Sequence, residues 1–159
     1  MIEAAGRTWG IANASYLYVI ISESHLYIGE TGDLPPKRWG QHLSSGGTFT
    51  GKTQLAGLDL PGTTEILFVG VRCTVIDSVD KMSQKRARRA VEEELHRQFS
   101  LNARMLGTEF TILSQPPPAP VRFTWSFDLV AVARQIRAHV ANEFGAWKAK
   151  SQIPVHFDG

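Results

Sequence analysis

The strongest constraint on the fold is a pair of short apolar runs near the start of the chain, residues 16–21 and 26–29, which are rich in aromatic and β-branched side chains. A polar tetrapeptide separates the two runs, and this pattern predicts a tight β-hairpin. Because side chains alternate along a strand, Tyr18 and Ile20 are expected on one face of the sheet and Val19 on the other.

A helix is predicted directly after the hairpin. The chain turns at residues 31–33, and Pro35 and Pro36 open the helix, since proline is tolerated in the first helical turn. Arg38 and His42 are four positions apart and therefore share one face of this helix. One hairpin and one helical turn are thus expected to bring phenols, a guanidinium group and an imidazole together.

The hairpin and the helix resemble the GIY-YIG nuclease domain. Residues 27–31 match the Tyr-Ile-Gly-x-Thr half of that family's signature, and Tyr18 matches the final tyrosine of the other half. Arg38 and His42 fall where the family has an arginine and often a histidine. The resemblance covers roughly residues 15–105.

A second helix is predicted over residues 83–99, with an apolar stripe at helical spacing. Glu92 borders the core-facing side of this helix. The resemblance implies that Glu92 is the family's glutamate and Asn102 the asparagine that follows it, with Glu93 as a second candidate for the glutamate.

The resemblance also implies a role for each site residue. Tyr18 would lie nearest the attacking water, Tyr27 would assist it, and Arg38 would stabilise the phosphate. Glu92 would hold a single Mg²⁺ or Mn²⁺, an ion that commonly takes one carboxylate and several waters. His42 would support the base or act as one.

These roles imply a metal-dependent endonuclease that hydrolyses DNA phosphodiester bonds. DNA rather than RNA follows from the family alone, and RNA stays open as a substrate. The alternative from another class is a nucleic-acid-binding module that has kept the fold without the activity. A cut across two strands by one small site would favour a homodimer or two sequential nicks.

The predicted fold class is α+β, with a small, mostly antiparallel central sheet flanked by helices and an extra C-terminal strand and helix. A single domain is expected over residues 1–159, with a C-terminal elaboration at 106–159. The other predicted elements are an irregular lead-in at 1–14, a long Gly- and Thr-rich loop at 44–64, a central strand at 65–76, an extended proline-rich connector at 115–120, a half-buried strand at 121–127, and a last helix from its N-cap Asp128 to about Gly145.

One competing motif lies in the predicted loop. Residues 46–53 match the phosphate-binding loop pattern G-x-x-x-x-G-K-[ST]. That motif requires a strand before it and a helix that begins at its Lys-Thr pair. Here a helix is predicted before the motif and none after it, so a nucleotide-binding enzyme is the weaker alternative.

Several basic side chains are candidates for contacts to a nucleic-acid backbone. Lys52 lies in the predicted loop, and a run of basic residues precedes Glu92 on the second helix; such a run is either a solvated helix face or a phosphate track. The candidates are Lys37, Lys52, Arg86 and Arg89.

Composition sets the outer limits. The net charge of +2 is compatible with a polyanionic partner without being diagnostic. A single cysteine, Cys73, excludes a disulfide or a cysteine metal cluster within the chain. With no apolar run of membrane-spanning length and no signal-like start, a cytoplasmic protein without membrane contact is expected.

Overall fold

A five-stranded mixed β-sheet forms the centre of the computed structural model, with helices on both faces. The structure describes residues 2–5, 12–44, 46–55, 65–118 and 124–151. Its elements are β1 (Ile2–Ala5), β2 (Tyr16–Ser22), β3 (His25–Thr31), α1 (Pro35–Leu43), α2 (Thr48–Leu55), β4 (Ile66–Arg72), α3 (Thr74–Asp77), α4 (Gln84–Leu101), β5 (Arg104–Met105), β6 (Thr108–Glu109), β7 (Thr111–Ile112) and α5 (Leu129–Ser151).

The strand order in the sheet is β1-β4-β2-β3-β7, and β5 and β6 form a separate two-stranded pair. The three central strands are antiparallel, whereas the edge strands β1 and β7 pair in parallel with their neighbours. This arrangement confirms the predicted α+β class. It also confirms the hairpin, in which β2 and β3 pair over their full length and are joined by Glu23 and Ser24.

The two faces of the sheet are covered by different helices, as the alternation in β2 predicts. Val19 and its neighbours on the same face pack against α4 and α5. Tyr18 and Ile20 face the other way and join Trp39 of α1 and Phe49 of α2 in a second buried cluster. The sheet therefore separates the large hydrophobic core from the layer that contains Tyr18.

Three long elements were predicted, although each ends at a residue other than the predicted one. The strand β4 lies between β1 and β2, which is the central position expected for its continuous apolar run. The helix α4 covers the predicted range and continues to Leu101. The Asp128 carboxylate accepts a hydrogen bond from the Ala131 amide at 3.0 Å, as expected of an N-cap for α5.

Four predictions were wrong in part. The lead-in contains strand β1, and the predicted loop contains helix α2. The strand predicted at 65–76 ends at Arg72, and α3 begins two residues later, at Thr74. Helix α5 continues past Gly145 to Ser151. The glycine leaves room for Leu106, because a Cβ atom added at position 145 would lie 2.8 Å from the Leu106 Cδ1 atom.

The predicted C-terminal strand is also not found. Residues 124–128 are not in a strand, and 121–123 lie outside the described residues. Trp125 and Phe127 instead stack on each other at 5.8 Å and pack beside the main core. The alternation of aromatic and polar residues at 124–127 therefore reflects half-buried aromatic side chains in an irregular segment. Among the described helices, none is long and apolar enough to span a membrane.

Candidate active site

A hydrogen-bonded pair, Tyr18 on β2 and His42 on α1, forms the buried centre of the site. The Tyr18 Oη and His42 Nε2 atoms are 2.6 Å apart, and each residue is 2% exposed. Tyr18 belongs to the sheet and His42 to the helix that covers it. The pair therefore depends on the packing of α1 onto the sheet.

Gly29 makes room for Tyr18. The two residues are direct partners across the β2–β3 pair. A Cβ atom at position 29 would lie 2.4 Å from the Tyr18 Oη and Cζ atoms, which is far inside van der Waals contact. The glycine is therefore required because the phenol lies across the backbone of β3.

Burial sets the protonation of the Tyr18–His42 pair. Loss of solvent, followed by the charge of Arg38, lowers the pKa of His42 to about 4, so the imidazole is neutral at neutral pH. Burial, with Tyr27 adding to it, raises the pKa of Tyr18, although a hydrogen bond from Arg38 and its charge oppose the shift. The pair is thus a protonated phenol beside a neutral imidazole.

Tyr27 approaches His42 from β3. Their ring centroids are 4.9 Å apart at a steep angle, and Tyr27 also meets Phe49 of α2 edge to face at 6.0 Å. Burial and then the charge of Glu92 raise the pKa of Tyr27, and Arg38 lowers it. Both phenols of the site therefore lie within the electrostatic reach of one cation and one carboxylate.

Arg38 is the exposed cation of this cluster. Its Nη1 atom donates to the Gln41 side-chain oxygen at 2.9 Å on the same helix. Its charge lowers the pKa of each of the four ionisable groups around it, Tyr18, Tyr27, His42 and Glu92. Arg38 is thus placed to face both the buried pair and an incoming anion.

Glu92 on α4 is a half-buried carboxylate that is repelled by a second carboxylate, that of Glu30. Burial, and then repulsion by Glu30 of β3, raise the pKa of Glu92 to about 8, while Arg89 and Arg38 act in the opposite direction. A divalent cation would relieve this repulsion, so the residue fits a metal ligand. Among the described residues no group of three or more His, Cys, Asp or Glu side chains forms a metal cluster. A single carboxylate suits Mg²⁺ or Mn²⁺, which keep several waters.

The two glutamates that the sequence could not separate lie in different environments. The charge of Glu92 raises the pKa values of Tyr18 and Tyr27. Glu93 instead lines a separate cavity of about 620 Å³, together with Glu94 and His96. The structure therefore brings Glu92, and not Glu93, to the tyrosines.

Asn102 is not brought to the site. It is the C-cap of α4, ten residues after Glu92, which corresponds to about 15 Å along the helix. Its exposed side chain accepts a hydrogen bond from the Arg104 amide at 3.1 Å. Asn102 thus ends the helix locally, and the sequence interval alone did not show that α4 would continue up to it.

The predicted basic residues are spread more widely. Arg89 is close enough to Glu92 to lower its pKa, and Lys37 is exposed beside Asp33 in an ion pair of 2.6 Å. Arg86 is exposed on α4, outside the cleft described below. Lys52 lies on helix α2, so the expectation that a loop carries it was wrong.

The competing phosphate-loop motif has the wrong context. The Gly-Lys-Thr end of residues 46–53 lies inside α2, which begins at Thr48, and the element before it is α1. Thr53 is buried, with its hydroxyl donating to the Thr50 carbonyl at 2.8 Å. The structure therefore agrees with the rejection of a nucleotide-binding loop.

Two residues beside the site were missed. Glu30 occupies the variable position of the Tyr-Ile-Gly-x-Thr match, and Arg88 lies one helical turn before Glu92. They form an ion pair of 2.6 Å between β3 and α4, with both side chains largely buried. The helical spacing of Arg88 from Glu92 was the signal that the sequence offered for Arg88. Its pairing with Glu30 joins residues 58 positions apart, so it can be identified only once the fold is known.

Comparison with known proteins identifies the family of the chain. The family model of the GIY-YIG catalytic domain matches residues 14–100, more than half of the chain. The match contains both tyrosines, Arg38, His42 and Glu92, and ends before Asn102. No curated protein and no solved structure gives a significant match. The chain belongs to the GIY-YIG family, a family of nuclease type.

Proposed function

We propose that this protein is a metal-dependent endonuclease that hydrolyses phosphodiester bonds in DNA. The observation that carries the proposal is the buried Tyr18–His42 hydrogen bond with Arg38 and Glu92 acting on it from two different helices. Hydrolysis needs a deprotonated water, stabilisation of the charge on the phosphate, and a path for the proton. The cluster offers a group for each requirement.

The Tyr18–His42 pair would carry the proton. With the imidazole proton on Nδ1, the Tyr18 hydroxyl donates to His42 Nε2 across the 2.6 Å contact. Tyr18 passes its proton to Nε2 while its oxygen takes a proton from water, and the resulting hydroxide attacks phosphorus. One P–O bond forms, the bond to the leaving oxygen breaks, and solvent protonates that oxygen. The His42 imidazolium then returns its proton to solvent, because its lowered pKa favours the neutral ring. This relay avoids a free phenolate, which burial disfavours.

Arg38 and Glu92 would serve the phosphate. The exposed guanidinium group of Arg38 can form paired hydrogen bonds with two phosphate oxygens. Glu92 would hold a divalent cation, which stabilises charge on the phosphate and lowers the pKa of bound water. Glu92 reaches the site from the helix on the opposite side of β3, so substrate is expected to bind between α1 and α4.

The test is cleavage of a panel of single-stranded, double-stranded and branched DNA and RNA, with Mg²⁺, Mn²⁺ or EDTA. We expect metal-dependent cutting of DNA that falls at least 100-fold in Glu92→Gln and in Tyr18→Phe, because each removes a group used in the transition state. Glu93→Gln is the matched control on the same helix and should cut like the wild type.

Other outcomes have distinct meanings. Binding without cutting, unchanged in Glu92→Gln and Tyr18→Phe, would contradict the enzyme and identify a nucleic-acid-binding module. A loss in Glu93→Gln equal to that in Glu92→Gln would contradict the assignment of the metal to Glu92. Cutting of RNA alone would replace DNA as the substrate and leave the catalytic proposal intact.

A further inference from the structure

A polar cleft of about 330 Å³ lies beside the candidate active site, between the end of β3, helix α1 and the start of α4. Arg38 belongs both to this cleft and to the cluster around Tyr18. The cleft is therefore continuous with the site at the guanidinium group of Arg38. Its lining residues are Glu30, Thr31, Gly32, Asp33, Lys37, Arg38, Gln41, Lys85 and Arg88.

The charge of the cleft favours an anion. Two of its four cations are matched by carboxylates, through the 2.6 Å pairs of Lys37 with Asp33 and of Arg88 with Glu30. Neither Arg38 nor Lys85 forms an ion pair with any residue that the structure describes. The cleft thus carries an excess of two positive charges, held by the exposed side chains of Arg38 and Lys85.

Arg88 is held rigidly in the cleft. Its side chain is only 11% exposed, and its Nε atom donates to Glu30 at 2.6 Å. The two Nη atoms lie over Gly32, where an added Cβ would come within 2.9 Å of Nη2 and 3.1 Å of Nη1. Glu30 therefore anchors the guanidinium group and Gly32 leaves room for it, which makes Arg88 a preformed donor rather than a solvated side chain.

The lining also indicates which part of a nucleic acid it suits. None of its residues is aromatic or aliphatic, so it has no surface on which a base would stack. Cationic and hydroxyl donors are the groups that contact the sugar–phosphate backbone, independently of sequence.

We propose that this cleft binds a second phosphate of the substrate strand, adjacent to the phosphate that Arg38 presents to Tyr18. The proposal rests on the proposed nuclease function and adds a positioning subsite to it. Lys85 and Arg88 hold the neighbouring phosphate and so fix the strand before the cut. Contacts of this kind strengthen binding through charge and do not select a base sequence.

The first test measures affinity for a short DNA duplex in EDTA as a function of salt. We expect Lys85→Ala, at an exposed position, to weaken binding roughly threefold to tenfold and to reduce the salt slope by about 0.9, the value for one lost phosphate contact. Arg88→Lys keeps the positive charge but lacks the paired N–H donors of the guanidinium group. It should therefore weaken DNA binding and leave the salt slope nearly unchanged. Arg134→Ala, an exposed arginine on α5 outside the cleft, is the control for loss of one charge.

The second test locates the phosphate. A set of substrates carries one neutral methylphosphonate linkage at successive positions around the mapped cut. In a double-mutant cycle, the neutral linkage that faces the cleft should weaken DNA binding by the wild type. The same linkage should not weaken DNA binding by Lys85→Ala any further. If the losses of affinity caused by the linkage and by Lys85→Ala add at every position, the proposed subsite is wrong. Cleavage of DNA by the wild type would still support the nuclease function in that case.

Two further outcomes would also overturn it. If inorganic phosphate raises the melting temperature through Lys85 while the losses on DNA remain additive, the cleft is a site for free phosphate. If the wild type binds no nucleic acid at all, the subsite and the proposed function fail together.

Discussion

At the scale of single residues, the candidate site places a carboxylate where folding alone would not favour it. Glu92 is half buried, and both its burial and Glu30 disfavour its charged form, so its pKa rises to about 8. The folded chain therefore binds more protons than the unfolded chain between about pH 4.5 and 8, and stability falls as pH rises through this window.

Replacement of this charge is therefore expected to stabilise the metal-free protein. At pH 9 in EDTA, Glu92→Gln should raise the free energy of unfolding by about 1–3 kcal/mol, because the amide is neutral and solvent screens part of the effect. Urea titration at pH 9 and at pH 4.5 measures this, and the gain should nearly vanish at the lower pH. Added Mg²⁺ should narrow the difference at pH 9 by stabilising the wild type alone. A variant less stable than the wild type at pH 9 would contradict the raised pKa.

A second prediction concerns the close approach at Gly29. Gly29→Ala would place a methyl group 2.4 Å from the Tyr18 Oη atom, so the phenol must leave His42. We expect a loss of about 1–3 kcal/mol in stability and nearly complete loss of cleavage. Gly40→Ala is the matched control, because an added Cβ on this exposed helical glycine meets nothing within 4 Å. That control should gain up to about 1 kcal/mol, as alanine favours helix. Equal cutting by Gly29→Ala and Gly40→Ala would show that the position of Tyr18 does not matter.

At the scale of elements, sequence predicted those parts whose pattern is local and strong. The hairpin follows from two β-branched runs, and α4 from helical periodicity over eighteen residues. Helix α2 has weak local signals, with Gly51 and several threonines, and depends on Phe49 being fully buried against the sheet. Strand β1 is four residues long and is defined by its parallel pairing with β4, which is a tertiary contact.

The end of α4 supplies a prediction at this scale. Arg137 of α5 donates to the carbonyl oxygens of Gln98, at 2.6 Å, and Asn102, and its guanidinium carbon lies 4.6 Å from the Phe99 ring centroid. It therefore caps α4 from outside and joins α5 to it. Arg137→Ala should lower the free energy of unfolding by about 1–3 kcal/mol, measured by urea titration, and leave the metal dependence of cleavage unchanged. Arg134→Ala, exposed on the same helix, should change stability by less than about 0.5 kcal/mol. Similar effects of the two substitutions would exclude the cap.

At the scale of the whole molecule, the site is the product of four elements, β2, β3, α1 and α4, that meet only in the fold. Sequence identified Tyr18, Tyr27, Arg38, His42 and Glu92 through the order of a signature. It could not identify the Arg88–Glu30 pair or exclude Asn102, because both depend on where α4 lies against β3. The same packing buries two imidazoles, His42 of α1 and His96 of α4.

These two histidines predict how the whole fold responds to acid. Burial lowers the pKa of each from 6.5 to about 4, so the folded chain binds fewer protons than the unfolded chain in this window. Their contribution to stability is therefore complete above pH 6.5 and lost as pH falls towards 4, by on the order of 2–3 kcal/mol for each histidine. Glu92 acts in the opposite direction over part of the window, so the measurement is made in Glu92→Gln.

In that background, the free energy of unfolding should fall steeply between pH 7 and pH 4. His96→Gln removes one of the two buried imidazoles, and we expect it to reduce the fall by about half, because each histidine contributes a similar shift. His139→Gln, on α5 with its side chain 45% exposed, is the matched control and should leave the fall unchanged. Urea titrations at half-unit intervals of pH measure all three proteins. A flat profile in the Glu92→Gln background would mean that the buried imidazoles accept protons without a cost in stability, which would contradict the lowering of their pKa values by burial.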